Sequence, residues 1–301
     1  MKLKYGWICG CGIGLALSAG ACSPVRINGP AAPTLHPKPA VTQAKKSLVP
    51  NKLSVSHMPE VLGGIIKSDS WVIYKDKQQE EFKGHVSYDS EQYVFRADEA
   101  LSDRARGIFQ ASGDVFLRHN APNGVFYQAQ ATNGFYNYRT QKGELVADGK
   151  NRVKLVYRDE KQQTVTGFAS RVKFDLNKRV YVLEGRVRVE RPSAQGMQVI
   201  TARKMTLRQD PAYALLEGNA TVQDEQRTLT ADTLIYDGAE NISRAYGGRV
   251  LARGTTERGP FAIIADQIRS DNDGKKIELD GQVQGWLVSP QINEAKFNEK
   301  F

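Results

Sequence analysis

LEGNATVQDEQRTLTADTLIYDGAENISRAYGGRV, residues 216–250, holds the pattern that decides the fold. Leu216, Ala220 and Val222 place apolar side chains on one parity, with Asn219, Thr221 and Gln223 between them. Alternation at period two describes a strand with one buried face. Gly218 stands inside that run, and a glycine at such a place marks a bulge, a bend or a close backbone approach. A polar stretch follows, then a second apolar strand around Ala231, then the turn signal Asp237-Gly238. The segment closes on another glycine strand at Gly248.

The same pattern recurs outward in both directions. Seven segments align: FKGHVSY (82–88), ASGDVFL (111–117), ADGKNRVKL (147–155), LEGRVRV (183–189), LEGNATV (216–222), YGGRVLA (246–252) and LDGQVQG (279–285). Their glycines are Gly84, Gly113, Gly149, Gly185, Gly218, Gly248 and Gly281, with gaps of 29, 36, 36, 33, 30 and 33 residues. Only the third carries an insertion, ahead of Val153. A second strand follows each glycine but the last, often worded Ala-Asp, around Ala97, Ala129, Ala169, Ala202, Ala231 and Ala265. SDSWVIYKD (68–76) reads as the second strand of a truncated first repeat that caps that end. No helical period is sustained, and EALSDRAR (99–106) is the one stretch compatible with a helical turn.

A repeat of this size cannot hide its apolar face alone, so neighbours must stack to join their apolar columns into one interior. The expectation is an elongated all-β domain over residues 61–290, about seven repeats of about 33 residues, followed by a polar tail at 291–301.

The flanks speak to location. Lys2 and Lys4 precede the apolar run Trp7–Leu17, and small residues lead to Cys22, the layout of a secretory signal peptide over 1–21. The run into Cys22 resembles a bacterial lipobox, although Ala19 stands where Leu is usual. Cys22 is therefore the expected lipidation site, carrying palmitate-type acyl chains and anchoring the chain to a membrane. All three cysteines (Cys9, Cys11, Cys22) lie in the first 22 residues, so the body has neither a disulfide framework nor a reactive thiol. Residues 22–60 hold seven prolines and read as a tether.

The chain has 42 Lys plus Arg against 33 Asp plus Glu, a net charge of +9. That balance favours anionic surfaces, while export argues against nucleic acid. His36, His57, His85 and His119 lack metal-site spacing, and no Gly-x-Ser-x-Gly, phosphate-cradling loop or HExxH occurs. No cofactor, metal or enzymatic activity is expected. Asp98, Asp232 and Asp266 follow the repeated alanines and read as turn or ladder residues.

The segments, above all Leu216 to Val250, resemble the OstA-like family, which includes LptA, LptC and the N-terminal part of LptD. The resemblance extends more loosely over 64–290. It implies a V-shaped β-jellyroll whose interior shields lipopolysaccharide or a related glycolipid and whose sheet ends pair with other proteins of that fold. The lipid-binding positions it implies are Leu183, Val187, Val189, Val199, Met205, Leu207, Leu216, Val222, Leu229, Leu234 and Tyr236. It implies a periplasmic setting, and Ser23 after Cys22 favours the outer membrane over the inner. Two other readings stand beside it: a structural or adhesive repeat lipoprotein without lipid cargo, and a carbohydrate-active parallel β-helix with stacked acids.

Overall fold

The computed structural model describes residues 64–287 apart from 122–123, 194–195, 257–258 and 272–275. The expected signal peptide, Cys22, the tether and the 291–301 tail lie outside the described residues.

The described chain forms an all-antiparallel sheet of 18 strands. The first are β1 (Gly64–Lys67), β2 (Ser70–Tyr74), β3 (Gln79–Ser90), β4 (Tyr93–Asp103), β5 (Ile108–Asn120) and β6 (Phe126–Asn137). Four shorter strands follow: β7 (Lys142–Val146), β8 (Val153–Arg158), β9 (Thr164–Ala169) and β10 (Arg171–Asp175). Long strands then resume with β11 (Val180–Ser193), β12 (Gly196–Arg208), β13 (Tyr213–Gln223), β14 (Arg227–Asp237), β15 (Ile242–Thr256) and β16 (Gly259–Asp271). The series ends with β17 (Ile277–Asp280) and β18 (Gln284–Leu287). Residues 99–103 continue β4 and 104–107 form a turn, so the one stretch compatible with a helical turn, 99–106, is strand and turn instead. Cross-strand pairing with β3 and β5 decides that stretch over its local helical pattern.

The repeated glycines build the two layers. All seven have positive φ, between +62° and +84°. Each of the five that lie within long strands interrupts the pairing register there. In β3, residues 79–83 pair with β2, but residues 87–90 pair with β1. The strand therefore leaves one layer at Gly84 and enters the other. Layer A contains β2, β7, β10 and β17 and the matching halves of the long strands. Layer B contains β1, β8, β9 and β18 and the remaining halves. The insertion at 147–152 and Ser170 break two strands fully at this corner, which gives the separate β7, β8, β9 and β10. The product is a β-jellyroll, two facing sheets that share their strands through a line of bulges.

A constant offset marks the corner. A Cβ on Gly84, Gly113, Gly185, Gly218 or Gly281 would overlap Asp69, Asp98, Ser170, Arg203 or Asp266 respectively, each fifteen residues earlier. Gly247 and Gly248 face Asp232 in the same way. Asp98, Asp232 and Asp266 are thus corner residues of the ladder. Asp266 Oδ2 accepts the Gln282 N–H at 3.0 Å. In the β6 repeat the matching pair is Ala131 and Thr132, whose Oγ1 accepts the Asp148 N–H at 3.1 Å. The second-strand motif expected around Ala129 is therefore displaced by two residues.

Candidate functional site

Residues paired across neighbouring strands share a face, so the registers trace the interior as continuous rows. One row of layer A runs Trp71, Phe82, Ala100, Ala111, Gly134, Leu145, Val172, Leu183, Met205, Leu216, Leu234, Ala245, Ile268 and Leu279. In layer B the facing row runs Ile66, Tyr88, Phe95, Leu117, Ala129, Leu155, Gly167, Val189, Ile200, Val222, Leu229, Ala252, Ile263 and Gly285. Between these rows and the corner, Val115, Val153, Val187 and Val250 pack beside Ala131, Ala169, Ala202, Ala220 and Ala265. The small residues let the layers approach where they join.

Ten of the eleven residues expected in the interior are there. Leu183, Val187, Val189, Met205, Leu216, Val222 and Leu234 belong to one buried cluster drawn from both layers, and Leu207, Leu229 and Tyr236 pack against it half-buried. Val199 does not join them. It pairs with Glu190 and Gln223 on the outer face of layer B, while its neighbours Gln198 and Ile200 turn inward and are buried. In the run Gln-Val-Ile-Thr-Ala the polar Gln198 takes an inward place, so hydropathy alone assigns the wrong parity.

The inward Gln198 accepts a hydrogen bond from Arg191 Nε at 2.7 Å, and both side chains are buried. Further along the same rim of layer B, Tyr93, His119 and Tyr127 stack at centroid distances of 4.5 and 6.0 Å, and Tyr127 meets Tyr157 at 5.1 Å. Burial there holds the His119 imidazole below its ordinary pKa. His85, at the corner beside Gly84, is raised instead, because the Asp69 carboxylate lies 2.7 Å from its Nδ1. The aromatic rim was not legible as one feature, since its members are scattered over 64 residues of sequence between Tyr93 and Tyr157.

Packing is uneven along the rows. Around β11–β16 the core is closed, with Met205, Leu216, Ala220, Val250 and Ala265 at 0 % exposure. Toward β3–β6 two smaller clusters form around Phe82 and Ala97, and the inward Leu117 is 41 % exposed. The rows also end uncovered. Inward Ile66, Trp71 and Ile73 are exposed at the β1/β2 end, and Leu279 and Val283 at the β17/β18 end. The expected cap at 68–76 is thus a strand, β2, that leaves its apolar side chains in the open.

The two outer faces carry different electrostatics. On layer A charges are paired, along β3 in Lys83–Glu81 and across strands in Lys142–Asp175, Arg171–Glu144, Lys173–Glu184, Lys204–Glu217 and Arg269–Glu278, at 2.9 to 3.7 Å. A concavity of about 450 Å³ lies among Glu81, Lys83, Glu99, Gln110, Ser112 and Glu144. These side chains point outward, and Phe82, Ala100, Ala111 and Gly134 of the layer A row also line it. The outer face of layer B is mainly basic, with Arg96 near Asp89 at 3.8 Å and Arg188 beside Glu190 at 2.7 Å. Among the described residues no group of three or more His, Cys, Asp or Glu side chains is placed to hold a metal ion.

Residues 65–212 match the family model described as LptA/(LptD N-terminal domain) LPS transport protein. Among solved structures, the chain is similar to LptH, the LptA-homologous periplasmic component of the lipopolysaccharide transport device from Pseudomonas aeruginosa. The two share 12 % identity, with 37 % of this chain and 75 % of that chain covered and a TM-score of 0.31. Comparison with curated proteins gave no significant match. Residues 216–250 lie beyond the matched segment yet repeat the corner geometry seen within it, at Gly218 and Gly248.

Proposed function

We propose, for a chain whose residues 65–212 belong to the LptA/LptD N-terminal family of lipopolysaccharide-transport proteins, that the jellyroll interior shields the acyl chains of lipopolysaccharide or a similar glycolipid. The carrying observation is that the inward apolar rows run unbroken across both layers and end on uncovered Ile66, Trp71 and Ile73 at one end and Leu279 and Val283 at the other. An acyl chain laid along such rows gains about 0.8 kcal/mol for each methylene removed from water. The looser β3–β6 segment, with Leu117 exposed, is the part of the interior that accepts it first. Function rests on binding, and no covalent step is assigned to any residue.

In this reading the uncovered ends meet proteins of the same fold, so that the interior of one continues into the next. The edge strands favour this, since among the described residues β1 and β2 pair only with β3, and β17 and β18 only with β16, beside apolar side chains. Residues 1–21 serve as signal peptide, and Cys22 carries the lipid that holds the body on the periplasmic side of the outer membrane. Residues 22–60 act as tether to the 61–290 domain.

A scaffold without lipid cargo is favoured by one observation, the closed packing of Met205, Leu216 and Val250. Native mass spectrometry of the protein with lipopolysaccharide separates the two. The transport reading expects a lipid adduct that Leu117→Asp weakens at least tenfold. Absence of any adduct at saturating lipid leaves the scaffold.

A further inference from the structure

We propose that the outer face of layer B, around β5 to β11, is a docking surface for an anionic phospholipid bilayer. Six basic side chains define it: Arg118, Lys154, Arg158 and Arg188 at outward strand positions, and Arg152 and Arg186 beside the corner. Among the described residues, only Arg188 of these six has a carboxylate partner, Glu190. Arg118 and Arg158 instead meet the neutral amides of Asn120 and Gln162. The contrast with layer A, where lysines and arginines face glutamates strand after strand, makes the charge a property of one face.

The guanidiniums are laid down on the sheet. Those of Arg118 and Arg158 stand 4.6 and 4.7 Å from the Phe126 ring centre, one on each side in sequence, and Arg152 lies 5.6 Å from Phe168. Phe168 itself sits between Lys154 and Arg188 in register. Cation–π contact fixes the groups while leaving N–H edges for acceptors. Arg152 Nε is buried without a hydrogen-bond partner. Burial, with the nearby Arg186 and Arg188 charges, weakens the hold of Arg152 on its proton. Like charges gathered this closely are stabilised by a bound anion.

The spread of the charges selects the partner. From β5 through β6, β8 and β9 to β11 the patch crosses roughly 19 Å at the usual strand spacing. That span exceeds one phosphate and matches several neighbouring phosphodiester headgroups. Phe126 is buried beneath its arginines, so it offers no ring on which a nucleic-acid base could stack.

Vesicle co-sedimentation of the full chain tests this. The comparison is between phosphatidylcholine vesicles containing about one-third phosphatidylglycerol and pure phosphatidylcholine vesicles, so any N-terminal acyl contribution is common to both. A basic residue at an anionic surface contributes about fivefold to partitioning. Arg152→Gln/Lys154→Gln/Arg186→Gln should therefore lower anionic-vesicle binding by about a hundredfold. The charge-matched Arg171→Gln/Lys173→Gln/Lys204→Gln on layer A should stay within about threefold of the parent. The parent's preference should vanish in about 0.5 M salt, a measurement that needs no variant to fold. Equal binding to neutral vesicles, equal loss in both triple variants, or binding to heparin with vesicles ignored overturns the proposal.

Discussion

The Asp98 carboxylate occupies the space a side chain on Gly113 would need, across the corner where β4 and β5 pass from one layer to the other. The same relation links Asp69 to Gly84 and Asp266 to Gly281, so the repeat is at heart a repeat of this corner.

Gly113→Ala should cost about 2–3 kcal/mol, combining the strain of a left-handed alanine with the overlap at Asp98. Gly149 has a similar φ of +62° but open space around it, so Gly149→Ala should cost only about 1 kcal/mol. Urea unfolding of both, and of Gly113→Ala/Asp98→Ala, checks the separation. Partial recovery in the double variant is expected.

Met205→Ala and Leu216→Ala should each destabilise by about 2–5 kcal/mol, since both are fully buried in the closed part of the core. Val199→Ala should cost less than about 1 kcal/mol because it lies on the outer face. Equal losses at all three positions would restore Val199 to the interior.

Asp103 is 1 % exposed and its carboxylate accepts from the Arg106 N–H at 2.8 Å, from Gln79 at 2.6 Å and from Arg106 Nε at 2.7 Å. These bonds lower its pKa to about 2. The folded value lies below the unfolded one of about 3.9, so its stabilisation is complete above about pH 4 and is lost as pH falls toward 2. Asp103→Asn should flatten that part of the stability curve, followed by circular dichroism across pH.

The two histidines should titrate on opposite sides of the ordinary value. His85, beside Asp69, titrates above it, and His119, stacked and half-buried between Tyr93 and Tyr127, below it. Imidazole NMR shifts against pH check the order, and Asp69→Asn should lower His85 alone.

Much of this architecture was legible because the corner needs a glycine that no other residue replaces cheaply. Gly84, Gly113, Gly185, Gly218, Gly248 and Gly281 therefore mark strand after strand. The facing residue was legible only where it is aspartate after alanine, at Asp98, Asp232 and Asp266. Ser170 and Arg203 fill the same place with other chemistry. Interior parity followed from alternation except at Val199, where adjacent valine and isoleucine leave the choice to the partner strands. The aromatic rim and the basic face of layer B were hidden because both are assembled from residues far apart in sequence. The segment 68–76 reads as a cap from its truncated repeat, while in the fold Trp71 and Ile73 stand exposed.

Site-specific photo-crosslinking in cells reads whether lipid runs along the interior, with the probe at Leu117 and Val222 inside and at Lys173 on the outer face of layer A as the control. Glycolipid adducts are expected at Leu117 and Val222 and none at Lys173. A folded, correctly localised protein with no lipid adduct at either inward position would contradict an interior lipid path.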